Sequence, residues 1–449
     1  MESLAEKSRE FFTRLDLPVE ARRTYHFHLT YAVLDAVAGG IFLNAPLVAL
    51  RLMGAENWHL PLREVYSGIG MLAALYLGSW MAPRRKMPFV FIPGMLAGLS
   101  AMAMALMMDD AYWFLTFFGL GALLEIMTRP AVAAILRLNY PVEQRGHATG
   151  RVRRWSSLAF MLSNLAAAYM LQLAGDHAKE VAFAQIVFAA LIGLAAFFCF
   201  RMIRVRDDPA RLRADLRPEI LKNIRDAVEV VVRDGRYRRY LFGCFLDGFF
   251  GMLYFPLIWA FLSKNLEFDY LACAALMHAI PALAAFLTTG LLGHWFDRSN
   301  PWISWAWIRF AWGCDALLLA ATPLAAGFFP PMIFILPLLG RILRGSVQGG
   351  WWVLWWQIGV THFAPPGEDT SRYMGIVVFL NGAIRLLASA TGMLLAALMV
   401  PPVNLLLLGG LGVILSGVYS LGQAAREKRE HQPKTITDFE AQFEKQEDR

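Results

Sequence analysis

Apolar stretches of about 20 residues, the length that crosses a bilayer, recur twelve times along the chain. Six predict helices at Leu29–Leu50, Val65–Trp80, Met87–Leu106, Ala111–Leu136, Trp155–Leu173 and Val181–Phe200. Six more predict helices at Leu241–Leu262, Tyr270–Leu292, Trp302–Ala321, Pro331–Val360, Tyr373–Met399 and Val403–Leu421. Between the two sets lies Arg201–Arg239, the longest polar run away from the termini. Pro209 and Pro218 bracket an arginine-rich connector there, and after it Ile220, Leu221, Ile224, Val228, Val231 and Val232 recur at helical spacing. Such a segment reads as an amphipathic helix lying on a membrane surface or as a plain solvated linker. The expected units are residues 1–200, a six-helix bundle with a cytoplasmic N-terminal segment; 201–239, a cytoplasmic linker; 240–424, a second bundle; and 425–449, a disordered tail.

Composition agrees with this pattern. Of 449 residues 57% are apolar and 17% charged, whereas soluble globular chains are roughly 45 to 50% apolar. The fold class is therefore all-α and polytopic. A net charge of +7 raises the question of nucleic acid, but the basic residues sit in short loops between spans, which excludes that partner in favour of a topological cause. Arg22 and Arg23 precede span 1, Arg84, Arg85 and Lys86 follow span 2, Arg151, Arg153 and Arg154 follow span 4, and Arg426, Lys428 and Arg429 follow span 12. The alternate loops are almost free of lysine and arginine, so both termini are expected on the cytoplasmic side of the cell membrane. The charged N-terminus has no apolar core of a cleavable signal peptide. Cys199, Cys244, Cys273 and Cys314 lie inside apolar segments without metal-ligand spacing, so they read as packing residues; no metal and no cofactor are expected, and the chain is taken as a monomer in the bilayer.

The two sets of spans repeat one another. Span 1 carries LDAVAGGIFLNAP from Leu34 and span 7 carries LDGFFGMLYFP from Leu246, which matches Asp35 with Asp247 and Gly39 with Gly251. LGSWMAPRRK after span 2 answers LGHWFDRSNP after span 8, Arg129 answers Arg344, and the loop RGHATG from Arg145 is echoed by SRYMG from Ser371.

At the loops after spans 2 and 8 the chain resembles the major facilitator superfamily, whose signature there is a glycine, apolar residues, an Asp-Arg pair and a basic cluster. Gly293, Trp295, Asp297 and Arg298 fit that signature, as do Gly78, Trp80, Arg84, Arg85 and Lys86, but Ala82 stands where the first aspartate would be. The resemblance implies two bundles around a central cavity that opens alternately to each side, with helices 1, 4, 7 and 10 lining it and helices 3, 6, 9 and 12 outside. It also implies gating roles for Gly78, Arg84, Arg85, Gly293, Asp297 and Arg298. Span 5 lacks the glycine-rich, proline-containing pattern of the family's drug antiporters, which lowers the drug-efflux reading.

Ionisable groups deep in a membrane are costly, so each needs a partner, a wet cavity or a function. Asp35 and Asp247 are candidates to bind a proton or cation, with structural hydrogen bonds as the other reading. Glu125 and Arg129 stand four apart on span 4 and can pair along one face, either satisfying each other or with a substrate displacing the glutamate from Arg129. Span 10 carries Arg341, Arg344 and Gln348 on one stripe, followed by Trp351, Trp352, Trp355 and Trp356, which suit an interfacial belt or a substrate ring. Asn381 and Arg385 on span 11, Tyr254 on span 7 and Asn164 on span 5 complete the candidate substrate contacts, and His278 on span 8 is a possible proton carrier. Asp315 and Arg309 lie on a helix that the resemblance places outside the cavity, so they read as structural. Asp35, Glu125 and Arg129 sum to about minus one, and Asp247, Arg341, Arg344 and Arg385 to about plus two. The expectation is a secondary transporter of a small polar solute, anionic or zwitterionic, coupled to a proton or cation. A transporter-like sensor or scaffold without turnover, or a sugar or drug permease of the same superfamily, is the alternative. Neither GxxxxGK[ST], HExxH nor GxSxG occurs, which argues against ATP drive and against an enzyme.

Overall fold

The computed structural model describes residues 17–81, 84–205, 220–296, 299–350, 360 and 370–430. The described long helices are α1 (Val19–Phe42, continued by Ala45–Leu52), α2 (Leu62–Met81), α3 (Pro88–Leu106), α4 (Ala111–Asn139), α5 (Val142–Ala174) and α6 (Ala178–Arg201). After the surface helix Ile220–Arg233 come α7 (Gly235–Tyr254), α8 (Tyr270–Ala274, then Ala275–Ala279 and Ile280–Phe296), α9 (Pro301–Phe328), α10 (Met332–Gly350), α11 (Thr370–Ala397) and α12 (Pro402–Glu430). No strand occurs among the described residues. Nine helical stretches among them are long and apolar enough to cross a membrane, and one, Gln144–Arg201, spans 58 residues and holds both α5 and α6. With α2 and α10, the arrangement is compatible with twelve crossings.

Polar caps sit where the apolar runs begin. Asp110 accepts from the backbone N–H groups of Tyr112 and Trp113, Asp234 does so for Arg236 and Tyr237, Asp269 for Ala272 and Asn300 for Trp302. Each satisfies first-turn donors that the helix leaves open. Several helices extend beyond the expected apolar runs, as α7 does by beginning at Gly235 inside the stretch expected as linker. RGHATG, read as a loop, forms part of α5, because isolated glycines cost a helix only about 1 kcal/mol each. Likewise α12 extends to Glu430, where Arg426 donates to the Glu430 carboxylate at 2.7 Å one turn on.

The packing repeats under a shift of six helices. In the first half α1 packs on α5 and α6, α3 on α4 and α6, and α2 on α4; in the second α7 packs on α11 and α12, α9 on α10 and α12, and α8 on α10. Between the halves the principal helix pairs are α2 with α11 and α5 with α8, which the same shift exchanges. Two pseudo-symmetric six-helix bundles result, consistent with the paired sequence motifs. The α2–α11 crossing is very close. A Cβ on Gly68 would stand 2.8 Å from the Leu386 nitrogen and 2.9 Å from the Gly382 oxygen, and one on Gly382 would meet the Leu72 nitrogen at 2.9 Å. Only glycine permits that approach.

We call the end where α1 begins and α12 ends the terminal face, and the other the distal face. Polar bonds fasten the bundles together at the distal face. Arg51 donates to Ser263 Oγ at 3.0 Å and to the Phe268 carbonyl, with its guanidinium 4.7 Å from the Tyr270 ring. Lys264 Nζ donates to the Ala55 carbonyl at 2.9 Å, and Gln172 Nε2 to Asp269 Oδ2 at 3.0 Å. At the terminal face the surface helix rests Val230 against a cluster containing Tyr237 and Tyr373.

Candidate functional site

In the first half the charged group is built on α4 and α1. Arg129 Nη2 donates to Glu125 Oε1 at 3.0 Å, one helical turn apart. Both side chains lie near mid-depth, yet 55% of Arg129 and 41% of Glu125 remains exposed. Asp35 and Tyr31 on α1 lie within electrostatic range of both residues, and Arg385 on α11 lies within range of Arg129. The exposed face of α4 therefore points toward the space between the bundles rather than toward lipid.

The second half is built differently at the matching positions. Asp247, the counterpart of Asp35, lies 3.9 Å from Arg309 Nε and is 7% exposed. Arg309 is wholly buried and donates to the carbonyls of Ser416 (3.0 Å) and Gly243 (2.8 Å) and to Ser420 Oγ, with the Trp305 ring 3.6 Å away. Arg341 and Asp315 form a two-pronged ion pair with both side chains at 0% exposure. Arg344 stands 3.6 Å from the same carboxylate, 3.5 Å from the Tyr254 hydroxyl, and near the rings of Phe255 (5.0 Å) and Trp312 (4.7 Å). Asp315 and Arg309 thus hold Arg341 and Asp247, two groups that the sequence placed at the cavity.

Arg385 has a partner that the sequence reading missed. Its guanidinium bonds Glu64 on α2, and Glu64 also accepts from Arg63 at 2.6 Å. Glu64 is 4% exposed. One signal was available, namely an acid at the start of an apolar span when an arginine at depth elsewhere lacked a countercharge. The charge sums drawn from the sequence change accordingly. Asp247 is balanced by Arg309, whereas Glu64 faces two arginines and Asp315 faces two arginines.

The remaining candidates are dispersed. Asn164 is fully buried between α1 and α5, where its amide donates to the Gly40 carbonyl at 2.9 Å. Asn381 donates to the Val377 carbonyl of its own helix at 2.9 Å, and Gln348 is exposed near the end of α10. His278 lies in the π-helical turn Ala275–Ala279 with the rings of Trp259 at 5.5 Å and Phe160 at 6.0 Å. Its Nε2 is buried with no hydrogen-bond partner among the described residues. Gly78 and Gly293 lie on α2 and α8; Arg84 donates to the Trp80 carbonyl at 2.7 Å, and Arg85 is exposed. Ala82, Asp297, Arg298 and the tryptophans Trp351 to Trp356 lie outside the described residues.

Comparison with curated proteins finds no match. Among solved structures the chain is similar to a mutant of the nucleoside transporter NupG, at 14% identity, 91% of this chain, 100% of that one and a TM-score of 0.64. It is similar to an auto-inhibited POT family peptide transporter, at 15% identity, 90% of this chain, 97% of that one and a TM-score of 0.65. A POT family transporter in complex with 5-aminolevulinic acid aligns at 12% identity over 90% of this chain and 96% of that one, with a TM-score of 0.62. These likenesses concern the fold. The model of the Major Facilitator Superfamily matches residues 41–393, which take in most of both bundles together with the Glu125–Arg129, Glu64–Arg385 and Asp315–Arg341 pairs, while Asp35 and α12 lie outside that range. This chain belongs to the major facilitator superfamily of membrane transporters.

Proposed function

We propose that this protein is a secondary transporter of a small anionic or zwitterionic solute, coupled to proton uptake, with both termini in the cytoplasm. The observation that carries the reading is the Glu125–Arg129 pair, solvent-accessible near mid-depth with Asp35 in range. An entering carboxylate or phosphate competes for the planar fork of Arg129. Glu125 is then released beside Asp35, and two adjacent carboxylates hold one proton between them more readily than two negative charges. Loading with solute and loading with a proton are thereby linked. The fastened distal face supports the reading of an inward-facing carrier whose two bundles rock about the α2–α11 and α5–α8 contacts.

A ligand that binds the folded state raises its apparent stability by mass action. A melting-temperature screen of purified protein against amino acids, carboxylates, sugars and nucleosides should identify an acidic or zwitterionic stabiliser. Arg129→Gln should abolish that shift while melting as a single transition. Stabilisation by neutral solutes alone, unchanged in Arg129→Gln, would refute the reading.

A further inference from the structure

We propose that the seam of α2, α8 and α10 is a seat for a dianionic group of the phosphate type, contacted by Arg63, His278 and Arg344. This goes beyond the reading of a solute held at Arg129, because it gives an anion a second place to bind. Two carboxylates in this region face four arginines: Glu64 is shared by Arg63 and Arg385, and Asp315 by Arg341 and Arg344. Arginine does not give up its proton in a protein, so two positive charges remain. The outer member of each set keeps access to a ligand, with Arg63 at 32% and Arg344 at 11% exposure against 0% for Arg341.

Two polar side-chain atoms at the seam, Arg63 Nε and His278 Nε2, are buried with no hydrogen-bond partner among the described residues. Buried polar atoms of this kind are normally satisfied, and an oxyanion accepting from Arg63 Nε and from His278 in its Nε2-protonated tautomer would satisfy both. Their placement is mutual: Arg63, Arg341 and Arg344 all lie within electrostatic range of His278. Arg63 and His278 share a depth, and Arg344, the thirteenth residue of α10 from the distal end and so about 19 Å in, has a side chain that leans back toward that end. The Arg63 guanidinium lies 5.3 Å from the Phe118 ring, and Phe118 and His278 are the eighth and ninth residues of α4 and α8 counted from the distal end. At 1.5 Å per residue both lie about 12 Å in. Glu125, seven residues beyond Phe118, is about 10 Å further toward the terminal face, so the Arg63 and His278 end of the seat is a different place from the Glu125–Arg129 pair. The π-helical turn that presents His278 is a form frequent at functional positions, and the rings of Trp259 and Phe160 lie near the imidazole.

A monoanion would leave one of the two excess charges unmet, and a cation would meet two arginines. A dianion bonded to Arg63 in one bundle and to His278 and Arg344 in the other would also tie the halves together on the distal side. The test uses the full-length protein in detergent at pH 7.5, titrated with inorganic phosphate against chloride at equal ionic strength, with melting temperature as the readout. Phosphate should raise the melting temperature of the parent protein. The apparent affinity should fall at least about tenfold in Arg63→Gln and in Arg344→Gln, the loss of one charge-assisted hydrogen bond, and should persist in Arg129→Gln. Should either glutamine variant not elute as a single species, Arg63→Lys and Arg344→Lys keep the charge and should still weaken phosphate, because the fork is gone. No stabilisation beyond chloride, equal stabilisation of the variants at Arg63 and Arg344, or its loss in Arg129→Gln would each overturn the seat. Because Arg129→Gln is the variant that tests the transport reading, the two can fail separately.

Discussion

Asp315→Ala is expected to cost about 3 to 5 kcal/mol of stability, the range for breaking a buried ion pair from one side. Asp315 and Arg341 are both fully buried, and the carboxylate is the only acid bonded to Arg341 or Arg344 among the described residues. Removing it strands one arginine in the core of the second bundle and frees another beside it. No water-filled route relieves Arg341, whose exposure is 0%. The site is also tightly closed, since a Cβ on Gly340 would stand 2.9 Å from Asp315 Oδ1, so a shortened side chain leaves a void between α9 and α10. The double replacement Asp315→Leu with Arg341→Met should recover much of the loss, because it removes both charges together. Thermal melts of the purified single and double variants check this. A double variant no more stable than Asp315→Ala would mean that the shape of the site, and not its charge, is what matters.

Glu64→Gln is expected to open the distal face. The glutamate is the negative charge between Arg63 on α2 and Arg385 on α11. Once it is neutral, two arginines face each other across the helix pair that joins the bundles. Truncating one partner of a buried charge pair at an interface costs about 2 to 5 kcal/mol, and a population shift from 1:99 to 99:1 needs about 5.5 kcal/mol. The variant should therefore move a closed distal face to a mixed or mainly open one. Spin labels at Tyr112 on α4 and Phe329 after α9, both exposed near the distal ends of opposite bundles, report the separation. A longer distance in Glu64→Gln is the expected result. Gly68→Val, whose side chain would strike the α11 backbone, should lengthen the same distance by bulk alone. An unchanged distance in both would mean that α2 and α11 do not hold the distal closure.

Much of this architecture was legible in the sequence for local reasons. Crossing a bilayer demands long apolar runs, and helical spacing puts Glu125 and Arg129 on one face. The repeat of Asp35 in Asp247 was equally plain, yet the two positions differ in three dimensions. Arg309 reaches Asp247 from α9, whereas Asp35 faces the Glu125–Arg129 pair. What pairs with what across helices is a property of packing and leaves no mark on spacing: Glu64 and Arg385 are 321 residues apart. The same holds for Asp315, which its position on α9 placed outside the cavity and which nonetheless holds two arginines of α10. Helix ends were misread where charge density suggested a loop, as at RGHATG, since a helix protruding from the membrane carries polar residues on every side.

The most direct test of coupled transport is uptake of the panel's acidic and zwitterionic solutes into proteoliposomes under an imposed pH gradient. The parent protein should accumulate at least one of them only when the gradient is present. Asp35→Asn and Glu125→Gln should still exchange labelled for unlabelled solute but should not accumulate it. Accumulation unchanged in both variants, or confined to neutral solutes, would contradict the role assigned to the Asp35, Glu125 and Arg129 group.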